Sequence, residues 1–417
     1  MNSEHSNRDG QAASFYSRIG GLLAAAAIVV TVASQFAGRD LLVIYGPLWI
    51  SIAALNFHSR GSCTVLSPFS LFFLLSYASL ASVCSVMFFV TGEAGYITNL
   101  FICITKVFLM YLVGMALSSS MVNEKHLCHL AYIYIAASVA YALWVHLNYI
   151  PGLSSWLSNE VYLFGQKNSF GQIISVAIIL CAVIPKATAK GRFLAASSAI
   201  YMFAILVAAQ CRSSMIACAI ALIAWLLIDR KYKLLFAALS LCVAGLVFSP
   251  RIQSVVAHAF LLDKYAGAGL SAISSGRTGY WADALKSISM HPFFGVGDYY
   301  VDNFYLNTFA NLGVMVGGLV VMLILVRFLI NFSSLVKKRH GQRGATTHAA
   351  NAEYIECILG CVLSVFYLVV SLFEALPPIG PGVCSFVFWI ACGYLDEKTA
   401  APLGSTHHSK TGEIFSR

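Results

Sequence analysis

Arg212 and Arg277 are the residues of this chain best suited to hold an anion, because each stands in a polar interruption between long hydrophobic stretches. A guanidinium presents a rigid fork of donors that grips phosphate oxygens two at a time, so a pair of them suits a diphosphate. Arg212 lies in Gln210-Cys211-Arg212-Ser213-Ser214 with an apolar run on either side, so its charge sits at membrane depth or just above. There it either binds an anion or snorkels to the interface. Arg277 opens a predicted surface helix, where side-chain donors and free backbone N–H groups can meet one anion; a loop ion pair is the plainer alternative.

Proton chemistry needs a carboxylate or an imidazole near those cations. Asp302, followed by Asn303 at the start of a late apolar run, is the first candidate for a base acting on a sugar hydroxyl, or else simply part of a helix cap. Asp298, Glu374 and His291 compete for that role, although His291-Pro292 also reads as a helix stop. Gly165-Gln166-Lys167-Asn168-Ser169-Phe170-Gly171 adds donors at Lys167 and Asn168 and glycines that let backbones approach, or is a polar helix start. Trp156, Tyr162, Tyr280, Trp281, Tyr299, Tyr300 and Tyr305 fit an interfacial belt and a sugar-stacking platform equally well. Lys106 falls inside an apolar run, where it snorkels, packs against a polar neighbour or lines a cavity.

What must position these groups is almost entirely apolar. The 417 residues are 59% hydrophobic and 10% charged, with a mean hydropathy of +0.79. Soluble domains carry about 25% charged residues, so this is the composition of a polytopic membrane protein. Backbone groups cannot be left unpaired in lipid, which makes the spans helical. About twelve stretches are candidates for crossing a ~30 Å hydrocarbon layer: 19–37, 41–57, 68–90, 98–118, 127–148, 168–185, 193–209, 213–229, 233–249, 304–329, 354–373 and 380–395. The fold class expected is all-α, divided into an N-terminal tail (1–17), a first helical set (18–249), a polar loop (250–302), a second helical set (303–395) and a C-terminal tail (396–417).

Most of the 26 Lys and Arg residues fall in alternate connections, which puts both termini in the cytoplasm and 250–302 outside. The net charge of +9 is then topological, an anchor to anionic lipid, and nucleic acid is excluded as a partner. The 12 cysteines lie mostly inside apolar runs without paired spacing, so they read as small packing residues and neither a metal site nor a disulfide frame is expected. In the polar loop, Trp281, Leu285 and Ile288 recur at helical spacing and predict one amphipathic helix over about 277–290, capped by Ser275, with its apolar face in the interface. His291-Pro292 ends it, and Gly295 and Gly297 turn the chain back toward the membrane at Asp302-Asn303.

The string from Ser274 to Gly313 resembles the signature region of the O-antigen ligase and polymerase superfamily. Its elements are Ser275-Gly276-Arg277-Thr278 with Trp281, His291-Pro292 with Phe294-Gly295-Val296-Gly297, and Asp302-Asn303 with Leu306 and Gly313. Asn168 with Gly171, and Arg212-Ser213, also fit, so the likeness covers roughly residues 160–330. The resemblance implies an inner-membrane glycosyltransferase, active on the periplasmic side without metal or cofactor. Its donor is a saccharide on undecaprenyl diphosphate. It further implies that Arg212 and Arg277 hold the diphosphate, with Lys167, Asn168, Ser213, Ser275, Trp281, His291, Asn303 and Tyr305 around the substrate. Ligases of the family carry His just before the Asn of the re-entry motif; Asp302 here fits polymerases that join repeat units of O-antigen, capsule or exopolysaccharide.

The first expectation is therefore a polymerase taking lipid-linked oligosaccharide as donor and acceptor, with membrane lipid and a chain-length-determinant protein as further partners. A ligase acting on lipid A-core or protein is the second. A flippase is the third; it would concentrate charge and broken helices at the bilayer midplane, whereas the polar residues here gather at one surface.

Overall fold

The computed structural model describes residues 19–35, 41–59, 67–98, 103–120, 125–150, 167–184, 188–260, 262, 277–341, 348–379 and 385–400. Among these residues the regular secondary structure is all helix, without strands. Residues 1–18 and 401–417, Trp156, Tyr162, Gly165, Gln166 and the stretch Ser274 to Gly276 lie outside them, so the expected Ser275 cap does too, while 396–400 of the expected C-terminal tail belong to the last helix.

Helices occupy each apolar stretch read from the sequence. They are α1 (Ile19–Gln35), α2 (Leu42–Ser59), α3 (Pro68–Thr91), the single turn α4 (Ala94–Ile97), α5 (Thr105–Ser120), α6 (Lys125–Tyr149), α7 (Lys167–Val183), α8 (Ala189–Ala208), α9 (Arg212–Ile228) and α10 (Tyr232–Phe248). After them come α11 (Pro250–Phe260), α12 (Arg277–Met290), α13 (Phe304–Leu312), a π-helical turn (Gly313–Gly317), α14 (Gly318–Gly341), α15 (His348–Val370) and α16 (Phe386–Ala400). Five described helical stretches are long and apolar enough to cross a membrane, six when the bent pair α10–α11 counts as one. Side chains such as Phe236, Leu241 and Phe248 on α10 are exposed, as lipid-facing residues of a multi-pass protein are.

The core is built around α7. Every residue of α7 from Phe170 to Cys181 is buried, because the helix is surrounded by α6, α8, α9 and α15. Gly171 is the closest point: a Cβ there would lie 2.6 Å from Ser214 Oγ on α9. The glycine thus lets the heads of α7 and α9 meet, as small residues do between membrane helices. At the other side of the bundle α16 packs along α5, and α15 against α9.

Two expectations change here. Arg327, inside the tenth apolar stretch, is fully buried and ion-paired with Asp396 at 3.0 Å. Lys106, the charge that the sequence places inside an apolar run, is only half-buried, in the first turn of α5, whereas Arg327 is sealed by Asn331, whose side-chain oxygen accepts from it at 2.8 Å. Asp396 also accepts from Tyr111 and Ser67. An isolated charge at this depth costs several kcal/mol, and pairing removes most of that cost.

Among its described residues the polar loop holds two helices where one was expected. Pro250, suited to a first helical position, starts α11 at 98° to α10. In α11, Ile252, Val255, Val256 and Ala259 recur at helical spacing and form its apolar face. In α12 the buried stripe runs through Ala284 and Ser287, with Trp281 and Ile288 half-buried and Leu285 exposed. The side chains of α12 lean on its neighbour α13, which selects a face one residue away from the apolar one read from sequence.

Candidate functional site

A buried carboxylate, Glu374, ties together groups that are far apart in sequence. It sits in the turn after α15, only 5% exposed. Asn168, in the first turn of α7, donates its Nδ2 to Glu374 Oε2 at 2.6 Å. Ser213, in the first turn of α9, donates its hydroxyl to Oε1 at 2.6 Å. One carboxylate therefore joins three helix ends.

Local geometry explains why these ends converge. The α8–α9 connection is only residues 209–211, with Gln210 in the left-handed region at φ 54°. That turn puts Arg212, Ser213 and Cys211 beside the head of α7, where the Cys211 thiol meets the Lys167 carbonyl at 3.4 Å. Arg212 and Lys167 are half-buried neighbours in this cationic rim.

The re-entry motif approaches the same turn. The Phe304 N–H donates to the Ser371 carbonyl at 2.8 Å, and Asn303 Nδ2 donates to the Leu372 carbonyl at 3.2 Å. Asn303 is also the N-cap of α13, its side-chain oxygen accepting from Leu306 N–H at 3.0 Å. The cap is thus Asn303, and Asp302 is left free for another partner.

That partner is Arg277, whose Nη2 lies 3.5 Å from Asp302 Oδ2. Tyr300 donates its hydroxyl to Asp302 Oδ1 at 2.9 Å, and Trp281 Nε1 donates to the Asp302 carbonyl at 3.4 Å. The head of α12 is fastened to the head of α13 in this way. Tyr305, one residue into α13, is half-buried with its ring edge-on to Phe304 at 5.4 Å.

The motif between them is a brace. Val296 and Gly297 N–H donate to the Ala310 and Asn311 carbonyls at 2.9 and 3.0 Å, and Val314 N–H donates to the Pro292 carbonyl at 2.7 Å. Gly313, at φ 68°, would put a Cβ 2.2 Å from the Phe293 carbonyl oxygen. Only glycine accepts both that backbone angle and that contact. The Asn311 side chain bridges Tyr299 N–H and carbonyl, each at 2.7 Å.

His291 stands apart. It is exposed at the end of α12, which spans 14 residues and so separates it from Arg277 by about 20 Å. Of the expected site residues, Arg212, Ser213, Lys167, Asn168, Arg277, Trp281, Asp302 and Asn303 gather around the turn with Glu374, while His291 does not.

Burial, more than anything else, pushes the Glu374 carboxyl up to about 7; the Ser213 hydrogen bond opposes this, Asp302 adds to it, and Arg277 and the Asn168 hydrogen bond oppose it. Burial and the adjacent Asp302 likewise push the Tyr300 phenol up. A carboxyl group whose value lies near neutrality, beside several cations, can exchange a proton.

The family description O-antigen ligase matches residues 197–323. The match holds Arg212, Ser213, Arg277, Trp281, His291, Asp302, Asn303 and Tyr305; Lys167, Asn168 and Glu374 lie outside it. No curated protein matches the chain. Residues 197–323 are therefore similar to the O-antigen ligase family, consistent with the O-antigen ligase and polymerase superfamily and with glycan transfer at family level.

Proposed function

We propose that this O-antigen-ligase-like chain polymerises oligosaccharide repeat units carried on undecaprenyl diphosphate, working at the periplasmic face of the inner membrane. In this reading the chain crosses the membrane twelve times with both termini in the cytoplasm, and 250–302 lies outside. The observation that carries it is the convergence of Arg212, Arg277, Asp302 and Glu374 at one end of an apolar bundle, within and beside the matched stretch.

Arg277 and Arg212 bind the diphosphate, Lys167 and Asn168 edge the cleft, and Trp281 and Tyr305 offer faces to sugar. Asp302 keeps Arg277 aimed. Glu374 takes the acceptor proton: the hydroxyl oxygen bonds to the donor anomeric carbon as the bond from that carbon to the diphosphate breaks. The proton passes to Glu374, and undecaprenyl diphosphate leaves with the electron pair and the added negative charge. The donor is already activated, so alignment and fixed positive charge are the main demands. The arginines supply the charge directly, and no metal or cofactor is required by this scheme.

A second reading, transfer of the glycan to lipid A-core, is favoured by the description of the matching family. Purified protein in liposomes with only lipid-linked repeat units separates the two. A ladder of lengthening glycans with release of undecaprenyl diphosphate is the expected result. Products that form only after lipid A-core is added would replace polymerisation with ligation.

A further inference from the structure

An apolar cavity lies at the opposite end of the bundle from Glu374. It measures about 1630 Å³ and is walled mainly by apolar side chains of α1, α2, α5 to α10, α15 and α16. Asn168 starts α7 at the cluster, whereas Ile178 and Leu180 to Ile184 at its far end line the cavity; Leu180 is about 18 Å along the helix from Asn168. The cavity therefore has no part in the chemistry proposed above, and the inference stands whether or not that proposal does.

Its chemistry has two parts. Along one side Ile200, Phe203, Leu234 and Leu239 both line the hollow and are exposed, so it opens sideways to the bilayer. Its lining carries two cations, Arg192 and Lys231, and two carboxylates, Asp229 and Glu356. The charges of Arg230 and Arg339 act on Tyr354, another lining residue. Asp229 is held by Lys231 at 2.8 Å, Lys338 and Glu353 pair with each other, and Glu356 is buried. Once Arg230 and Arg339 beside the lining are counted, the cations around the cavity outnumber the carboxylates.

We propose that this cavity is a binding site for a glycerophospholipid with an anionic headgroup. Its acyl chain fills the aliphatic hollow and its phosphate meets Arg192. A hydrocarbon chain suits walls that offer few polar partners, and basic pockets between helices at the cytoplasmic leaflet select anionic headgroups. The positive rim argues against a neutral lipid, and the sideways opening argues against a water-soluble ligand.

Native mass spectrometry of the full chain, released from micelles holding phosphatidylglycerol and phosphatidylcholine of identical chains, tests this. Wild type should retain phosphatidylglycerol about fivefold over phosphatidylcholine, the ratio one cationic contact supplies. Arg192→Ala should bring the ratio close to one, and Ala199→Phe, which fills the hollow, should lower retention of both lipids. Ala219→Leu from the facing wall serves the same purpose if Ala199→Phe does not fold. Equal retention by wild type, an unchanged ratio in Arg192→Ala, or full retention in the filled variants overturns the site. So does displacement of the bound lipid by equimolar undecaprenyl phosphate, which would assign the hollow to a polyprenyl chain.

Discussion

Two arginine–carboxylate pairs in this molecule have the same chemistry and opposite circumstances. Arg277 and Asp302 meet at 3.5 Å with side chains 24% and 32% exposed, at the end of the bundle. Arg327 and Asp396 meet at 3.0 Å with side chains 1% and 6% exposed, inside it. The inner pair is enclosed by Tyr111, Ser67 and Asn331, and its guanidinium lies 4.9 Å over the Phe69 ring. It joins α3, α5, α14 and α16, and nothing can reach it without unpacking those helices. The outer pair is open enough to exchange a partner. A guanidinium is a structural clamp where every donor is enclosed, and a reagent where one face is left to a ligand.

The largest effect should follow from breaking the inner pair. Arg327→Ala or Asp396→Ala leaves one uncompensated buried charge, which costs about 3–5 kcal/mol. Both variants should lose most of their monodisperse protein on size exclusion in detergent. Replacing the pair together, Arg327→Met with Asp396→Leu, should restore much of that yield, since apolar groups of similar volume substitute well for a buried ion pair. A stable Arg327→Ala would show that the clamp is dispensable.

Glu374→Gln should leave the fold intact and lower the rate about 10²–10⁴-fold, the usual contribution of a general base. The wild-type rate should rise with pH through a midpoint near the carboxyl value of about 7, because only the deprotonated form accepts a proton. The variant should lack that limb. Stability runs the other way: the folded state holds its proton up to about 7 while the unfolded chain loses it near 4.5. This contribution is therefore full below the lower value and lost as pH rises through the upper one. A pH-rate limb unchanged in Glu374→Gln would transfer the role of base to another group.

The smallest effect is expected in the outer pair itself. Asp302→Asn should shift thermal stability by less than about 1 kcal/mol, as partly exposed pairs do. It should raise the KM for donor more than it lowers kcat if Asp302 acts by aiming Arg277. A drop in kcat alone would make Asp302 the base after all.

Much of the helix pattern was legible in the sequence, because lipid demands long apolar runs and leaves few alternatives. The cluster was only partly so. Arg277 and Asp302, Asn168 and Ser213 could each be singled out by type and place, and Glu374 could be named as a competing carboxylate. That Asn168 and Ser213 both donate to Glu374 depends on how α7, α9 and α15 pack, which no local pattern encodes. Arg327 was hidden for a similar reason: its partner Asp396 lies beyond the last apolar run, and only the packing of α16 beside α14 and α5 joins them. The face of α12 was misjudged by one position because periodicity ranks Leu285 above Ala284, whereas close packing on α13 favours the smaller side chain.

The central claim is that the outer arginines, unlike the inner one, hold the leaving diphosphate. The direct measurement is repeat-unit transfer in liposomes by Arg277→Ala and Arg212→Ala, at protein levels matched to wild type. Each should slow transfer about 10²–10³-fold, as removal of one transition-state donor does, and leave single repeat units in place of a ladder. Full ladders from both variants at wild-type rates would contradict it.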